Sequence, residues 1–302
     1  MRRQRHLEGV LGTALELQIV ADTEAQLGAA EAALLAEVDR LEGVFSRYLP
    51  GSELNRWQAR RGLPTTVSAD FAALLSRAEH FMTLTGGAFH PAADTLARLW
   101  QRGRPDAGTL QGVLEQMKEP LWTLEGGPTG ARQVTLHTAL SLNFNALAKG
   151  FITDAAAQAA LKVPGVRQVM LNIGGDVRHL GQGEVSVGLE APGQWADNWP
   201  PVGFVTLSNQ AVTTSGQMHR GAHLLDPRTG QPTSAERTVS VIAPSGAESD
   251  ALSTALCVLE VSECLALVGG LEGVGVRIGE GRLLATTTFW QQHEGHTKAT
   301  DT

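Results

Sequence analysis

The chain has 302 residues, 42% of them apolar and 18% charged, with 34 glycines and 13 prolines. That profile is soluble, globular and rich in turns, and long enough to bury roughly three quarters of its unfolded surface, so metal or disulfide staples are not needed for stability. A net charge of −7, a pI near 5.7 and 5% aromatic residues argue against nucleic acid, because the pairs Arg2-Arg3 and Arg60-Arg61 are too short to track a phosphate backbone and few rings are available for base stacking.

In chain order, the opening MRRQRHLEGVLGTALELQIV starts basic, like the beginning of a secretion signal, but Glu8 and Glu16 interrupt the apolar run a signal needs. No cysteine follows to accept a lipid, and no run of about 18 apolar residues occurs. A cytoplasmic location is expected, or a periplasmic one if a leader was removed. Residues 9–21 alternate as a strand, and Thr23 with Gln26 has capping-box spacing before the long amphipathic stretch AQLGAAEAALLAEVDRLEGVF. SRYLPGSELNRWQARRG reads as a polar loop, and Ser68 as the cap of a second helix that stops at Gly86-Gly87.

Residues 88–105, with His90, Pro91 and Trp100, read as irregular, followed by a short helix near 109–118 and strands near 121–125, 132–137 and 140–144. ALAKGFITDAAAQAALK is the third long helix, and VRQVMLNIGGDVRHLG a strand, a Gly-Gly bend and a second strand. Further strands are expected near 184–190, 203–207 and 239–243, helices over about 247–271, and a hairpin around Gly279–Gly281. Helices and strands do not alternate regularly and consecutive strands are joined by short turns, which predicts an α+β fold of antiparallel sheets with packed helices. The chain reads as one domain over 1–302, with a core over about 9–290 and a disordered tail over 291–302.

The two cysteines, Cys257 and Cys264, fall in an apparently helical stretch. On one continuous helix their Cα atoms would lie about 10 Å apart, beyond disulfide reach, so both are expected reduced and buried.

Four stretches could carry chemistry. Lys149 stands where an apolar strand-like run meets a helix; it is either a solvated first-turn lysine or an anion-binding one, since a helix N-terminus offers free N–H groups and positive potential. Ala146, Ala148 and Gly150 would keep that approach open. In SGAESDALSTAL, Asp250 and Thr254 share one helix face with Ser253 beside them, either as a polar first turn or as ligands for a hard cation such as Mg²⁺. His223, just before the strong turn DPRTG, is either a structural histidine or a general base and phosphate contact. The Gly-Gly bend of NIGGD could let backbone approach a ligand closely.

Taken in order, LGTALEL, LEGVFSRYLPGSELNR, LTGGAFHP, LARLW, NALAKGFITDAA, LNIGGDVRHLG, TTSG, HLLDPRTGQP and SVIAPSGAESDALSTAL resemble the ApbE family from about residue 9 to residue 290. The resemblance implies an α+β fold with two related subdomains around a flavin cleft. It implies Mg²⁺-dependent transfer of FMN from FAD to a Thr or Ser hydroxyl of an acceptor protein, with release of AMP. Hydrolysis of FAD to FMN and AMP, or flavin binding without catalysis, are the alternatives.

By position, the resemblance makes Asp250, Thr254 and the Ala146 carbonyl the Mg²⁺ ligands, and puts Lys149 beside the diphosphate. Leu11, Tyr48, Trp100, Gln101, Arg102, Asn143 and Leu224 would line the FAD cleft, with His223 and Asp250 as the catalytic residues. Three positions where the family commonly carries a carboxylate hold His90, Asn143 and Ser253 instead, and the stretch 217–222 is short where relatives often have a hairpin.

Overall fold

The basic N-terminus is itself a strand. In the computed structural model, which describes residues 1–126, 132–189, 201, 203–216, 225–233, 237–280, 282–286, 288–289 and 293–294, β1 (Arg2–Val10) pairs with β2 (Thr13–Ala21), the chain reversing at Leu11 and Gly12 with φ of 52° and 76°. The single strand expected over 9–21 therefore starts at Thr13. Sequence pattern hides β1 because it is a sheet edge, where charged side chains replace the apolar alternation of an inner strand.

The main sheet runs β1, β2, β6 (Val166–Ile173), β7 (Asp176–Gly181), β10 (Ala211–Gly216), β11 (Thr238–Ala243), β12 (Gly275–Glu280) and β13 (Arg282–Ala285), every neighbour antiparallel. One face is covered by α1 (Glu24–Phe45), α6 (Asn145–Leu161) and α7 (Gly246–Leu256). Thr23 and Gln26 form the expected capping box of α1, and Leu27, Ala30, Leu34, Val38, Leu41 and Phe45 recur at helical spacing along its buried stripe. On the opposite face, Val177, Val212 and Ile242 join Val185, Val205 and Leu207 in a second core. The latter come from β8 (Val185–Leu189) and β9 (Gly203–Leu207), which form a three-stranded sheet with β14 (His293–Glu294). Two residues of the expected tail thus pair with β9.

A lobe beside the helical face holds α2 (Glu53–Gln58), β3 (Thr65–Val67), α3 (Ala69–Leu84), α4 (Ala93–Gln101), α5 (Ala107–Lys118), β4 (Trp122–Glu125) and β5 (Arg132–Leu136). Trp57 anchors it edge-on to Phe71 and Trp122, with centroids 5.3 and 6.3 Å away, and donates its indole N–H to the Val134 carbonyl at 3.3 Å. Three readings change in this lobe. The polar loop contains α2, capped by Ser52. Residues 88–105, expected irregular, contain α4. The run 140–144 is not a strand; the Gln58 side chain donates to the Leu142 carbonyl at 3.4 Å and accepts from the Leu142 amide at 3.1 Å, satisfying the backbone a neighbouring strand would have satisfied. Leu140, Leu142 and Phe144 still face inward, which produced the strand-like alternation.

The tightest approach lies between α6 and α7. A Cβ on Gly150 would stand 2.1 Å from the Gly246 carbonyl oxygen, so this glycine serves helix packing and does not open the way to Lys149. α7 ends at Leu256, and a break separates it from α8 (Val261–Gly269), so Cys257 and Cys264 do not share one helix; both are nonetheless buried thiols outside any disulfide. Among the described residues, no helix is long and apolar enough to cross a membrane.

Two outcomes follow. Gly150→Ala should destabilise the fold by about 3 kcal/mol, since two backbones must move apart; urea denaturation checks this, and a loss under about 0.5 kcal/mol would show the crossing to be loose. Thiol titration should find two reactive groups after denaturation and far slower reaction before it, the Cys264 thiol being pushed up to about 11 by burial.

Candidate functional site

A cavity of about 790 Å³ is walled by β10 and the β6–β7 bend of the main sheet, by α6 and α7, by the α4 lobe and by the small β8–β9 sheet. Its size falls in the range of small-molecule and cofactor sites. Three local features shape it. α6 points its N-terminus into it, with Asn145, Ala146 and Lys149 on the wall. The Gly174-Gly175 bend between β6 and β7, with φ of 59° and 93°, brings backbone to the wall without side chains. β10 contributes Thr214, Ser215 and Gly216, and α7 contributes Asp250 and Thr254.

Asn143 lies on the wall and its Oδ1 accepts from the Asn145 amide at 2.9 Å, satisfying one orphan N–H at the start of α6. Lys149 is neither solvated nor unengaged: its Nζ pairs with Asp176, which is 1% exposed at the start of β7. Asp250 is buried, and its Oδ2 accepts from the Gly150 amide at 3.1 Å. In a regular helix that amide would bond the Ala146 carbonyl. Ala146 departs from helical geometry, with ψ of 16°, which kinks the first turn of α6.

Asp250, Thr254 and Ala146 all line this one cavity; a carboxylate, a hydroxyl and a carbonyl are the donor types a hard cation such as Mg²⁺ takes. Among the described residues no group of three or more His, Cys, Asp or Glu gathers, and Asp250 is the one carboxylate among these three lining residues.

Tyr48 and Gln101 are also on the wall. Tyr48 is 74% exposed, with the Arg47 guanidinium 5.3 Å from its ring centre, while Arg47 itself is salt-bridged to Asp94 at 2.6 Å. Leu11, Trp100 and Arg102 are not part of the described wall. Leu11 packs against the core from the β1–β2 turn. Trp100 donates its indole N–H to the Gly230 carbonyl at 2.8 Å, bracing α4 against the turn Asp226–Gly230, and Arg102 is the exposed C-cap of α4. His223 and Leu224 lie outside the described residues; Leu225, the next residue, is buried and on the wall.

Two of the positions that lack a family carboxylate have structural duties. His90 accepts from the Ala92 amide through Nδ1 at 3.1 Å and donates from Nε2 to the Met117 carbonyl at 3.0 Å, which fixes the neutral tautomer. Ser253 is wholly buried away from the cavity, bonded to Ser215 Oγ at 2.8 Å.

Sequence reasoning passed over Asp176 and Asp154. Asp154 accepts from the Gly246 and Ala247 amides at 2.8 and 3.1 Å and pairs with Arg178 at 2.9 Å, which docks the start of α7 on α6. The usable signal was a lone carboxylate inside an alanine-rich helix, since acidic residues are seldom buried without a partner.

The profile of the ApbE family matches residues 11–278, and the chain belongs to that family. It is 31% identical over 273 residues to an FAD:protein FMN transferase of Rhodobacter capsulatus, covering 82% of this chain but only 50% of that relative's length. A second relative of the same name, from Treponema pallidum, is 28% identical over 305 residues, covering 91% of this chain and 83% of the relative. The fold matches the ApbE protein of Thermotoga maritima (TM-score 0.81, 24% identity, 97% and 99% of the two chains) and the flavinyl transferase ApbE of Pseudomonas stutzeri (TM-score 0.78, 23% identity, 96% and 97%).

His90 makes stability sensitive to acid. Burial lowers its folded pKa from 6.5 to about 4. Between those values the unfolded chain binds the proton and the folded chain does not, so this contribution is complete above about pH 6.5 and is lost as pH falls toward 4, by up to about 3 kcal/mol. Denaturation at pH 7 and pH 4.5 should show a shallower pH dependence in His90→Asn than in the wild type; equal slopes would remove His90 from the account.

Proposed function

We propose that the chain transfers the FMN half of FAD to a Ser or Thr hydroxyl of an acceptor protein, with Mg²⁺, and releases AMP. One observation carries the reading: a single cavity is lined by the start of α6, Lys149, Asp250 and Thr254, residues whose chemistry suits a diphosphate and its cation. The names of the relatives point to the same substrate.

In the proposed reaction the acceptor oxygen attacks the phosphorus of the FMN half. The phosphorus–oxygen bond to the AMP phosphate breaks, AMP leaves with the bonding pair, and the hydroxyl proton passes to a base, for which His223 is the candidate. Mg²⁺ held by Asp250, Thr254 and the Ala146 carbonyl would offset the negative charge of the diphosphate. Lys149 and the α6 N-terminus bind and orient it. Tyr48 and the apolar wall of Val187, Leu189 and Val212 suit a flat ring system, and Asn143 and Gln101 offer polar contacts.

The wall charges largely cancel. Arg47 faces Asp94, Lys149 faces Asp176, and Asp250 adds a further negative charge. Without metal a diphosphate is therefore held by the local N–H groups of Lys149 and the α6 N-terminus rather than by net charge, and metal and FAD should bind cooperatively, each strengthening the other by the same factor.

The test is incubation of pure protein with FAD, Mg²⁺ and a Thr-containing acceptor fragment, read by mass spectrometry of the fragment and chromatography of nucleotides. FMN on the fragment with matching AMP is expected. AMP and free FMN with an unmodified fragment would indicate hydrolysis, and intact FAD a binding role. Asp250→Asn should lower AMP release on the order of 10²-fold while the apolar walls still retain flavin; full activity in that variant would overturn the metal assignment.

A further inference from the structure

Asp176 lies just behind the cavity rather than on it. Its neighbours Gly174, Gly175 and Val177 are wall residues, while the strand alternation sends Asp176 inward beneath Lys149. It is 1% exposed, its Oδ2 pairs with Lys149, and its Oδ1 is buried with no hydrogen-bond partner among the described residues. The next charge on the same face of β7, Arg178, is engaged by Asp154 at 2.9 Å. A carboxylate this desolvated is strongly destabilising when its counter-charge leaves, so it holds the lysine as firmly as the lysine holds it. Lys149 is 23% exposed, and its ammonium has three N–H groups, so one can serve Asp176 while others serve a ligand.

We infer that Asp176 is a positioning residue for recognition of the diphosphate, fixing the Lys149 ammonium in the cavity so that the anion meets a pre-placed cation. This rests on the reading of the cavity as an FAD site. A lysine left to itself has more rotamer freedom to lose than almost any other side chain, and a buried partner removes that loss from the binding step. The consequence is selective: the tether matters for a ligand that carries phosphate and is silent for one that does not.

Titrations of FAD and of riboflavin, followed by flavin fluorescence with chelator present, separate the two readings. The wild type should prefer FAD. Asp176→Asn should weaken FAD roughly tenfold, the scale of one charge-assisted hydrogen bond, and leave riboflavin unchanged. In Lys149→Met, FAD is weakened similarly and the unfolding temperature falls because Asp176 is left uncompensated. Adding Asp176→Asn to that variant should restore stability without changing FAD affinity further.

A wild type that binds riboflavin as tightly as FAD overturns the FAD reading and this inference together. A wild type that prefers FAD, with the preference intact or enlarged in Asp176→Asn, overturns the inference alone, because Asp176 would then only neutralise the lysine. If Asp176→Asn does not fold, the double variant decides: failure to regain stability relative to Lys149→Met shows that the two charges do not depend on each other, and the inference falls.

Discussion

The site depends on the crossing of α6 over α7. At that crossing the helices touch through backbone, Gly150 against Gly246, and each helix sends one carboxylate to the amides of the other. Asp154 of α6 accepts from Gly246 and Ala247 at the start of α7, where orphan N–H groups and the helix dipole favour an anion. Asp250 of α7 accepts from Gly150 of α6. The exchange sets the distance, rotation and register of the helices at once, because neither carboxylate can slide without leaving buried amides unpaired. The wall composition follows from this: Asp250 and Thr254 face the same space as Ala146 and Lys149 because the crossing admits one register.

Much of this was legible in the sequence, for an identifiable reason in each case. Capping boxes, glycine stops and the apolar stripe of α1 are local signals, and Thr23, Ser68 and Gly86-Gly87 do what their spacing suggests. Ser245 caps α7 in the same local way, accepting from the Glu248 amide. What local pattern could not give was anything settled by a distant partner. Gln58 reaches 84 residues along the chain to satisfy Leu142, which turned an apparent strand into a docked loop. β1 lacks an inner strand's alternation because its outer side has no neighbour. Trp100, aromatic and near the expected cleft, is committed to the Gly230 carbonyl 130 residues away. Asp176 sits beside a glycine pair whose turn signal dominates that stretch of sequence; its role appears only when β7 is laid under α6.

Polar residues in the middle of the main sheet follow the same logic. β10 lies fifth of eight strands and carries Thr213, Thr214 and Ser215 in succession, which is why its sequence did not read as a strand. Each hydroxyl finds another: Thr213 with Ser249 at 2.9 Å, Thr214 with Ser240 at 2.8 Å, and Ser215 with Ser253 at 2.8 Å. Paired this way, the hydroxyls avoid the penalty of buried polar groups without partners, and they tie β10 to α7 and β11. Ser215 also lies 3.4 Å from the Thr254 hydroxyl, so the ladder reaches the proposed cation ligands.

The ladder explains why Ser253 is a serine. Its hydroxyl is enclosed between Ser215 and the Asp250 carbonyl, with no exposure to the cavity. A carboxylate at that position would be buried against a hydroxyl pair and could not present its charge to a ligand without unwinding the turn of α7 that carries Asp250 and Thr254. Asn143 and His90 are likewise occupied, one with the start of α6 and the other with the Ala92 amide and Met117 carbonyl. The absence of carboxylates at these three positions is therefore built into the packing around them, and under the proposed function the remaining negative charge around a cation would arrive with the ligand. That would couple cation and diphosphate in one binding event, because each would supply the charge the other lacks.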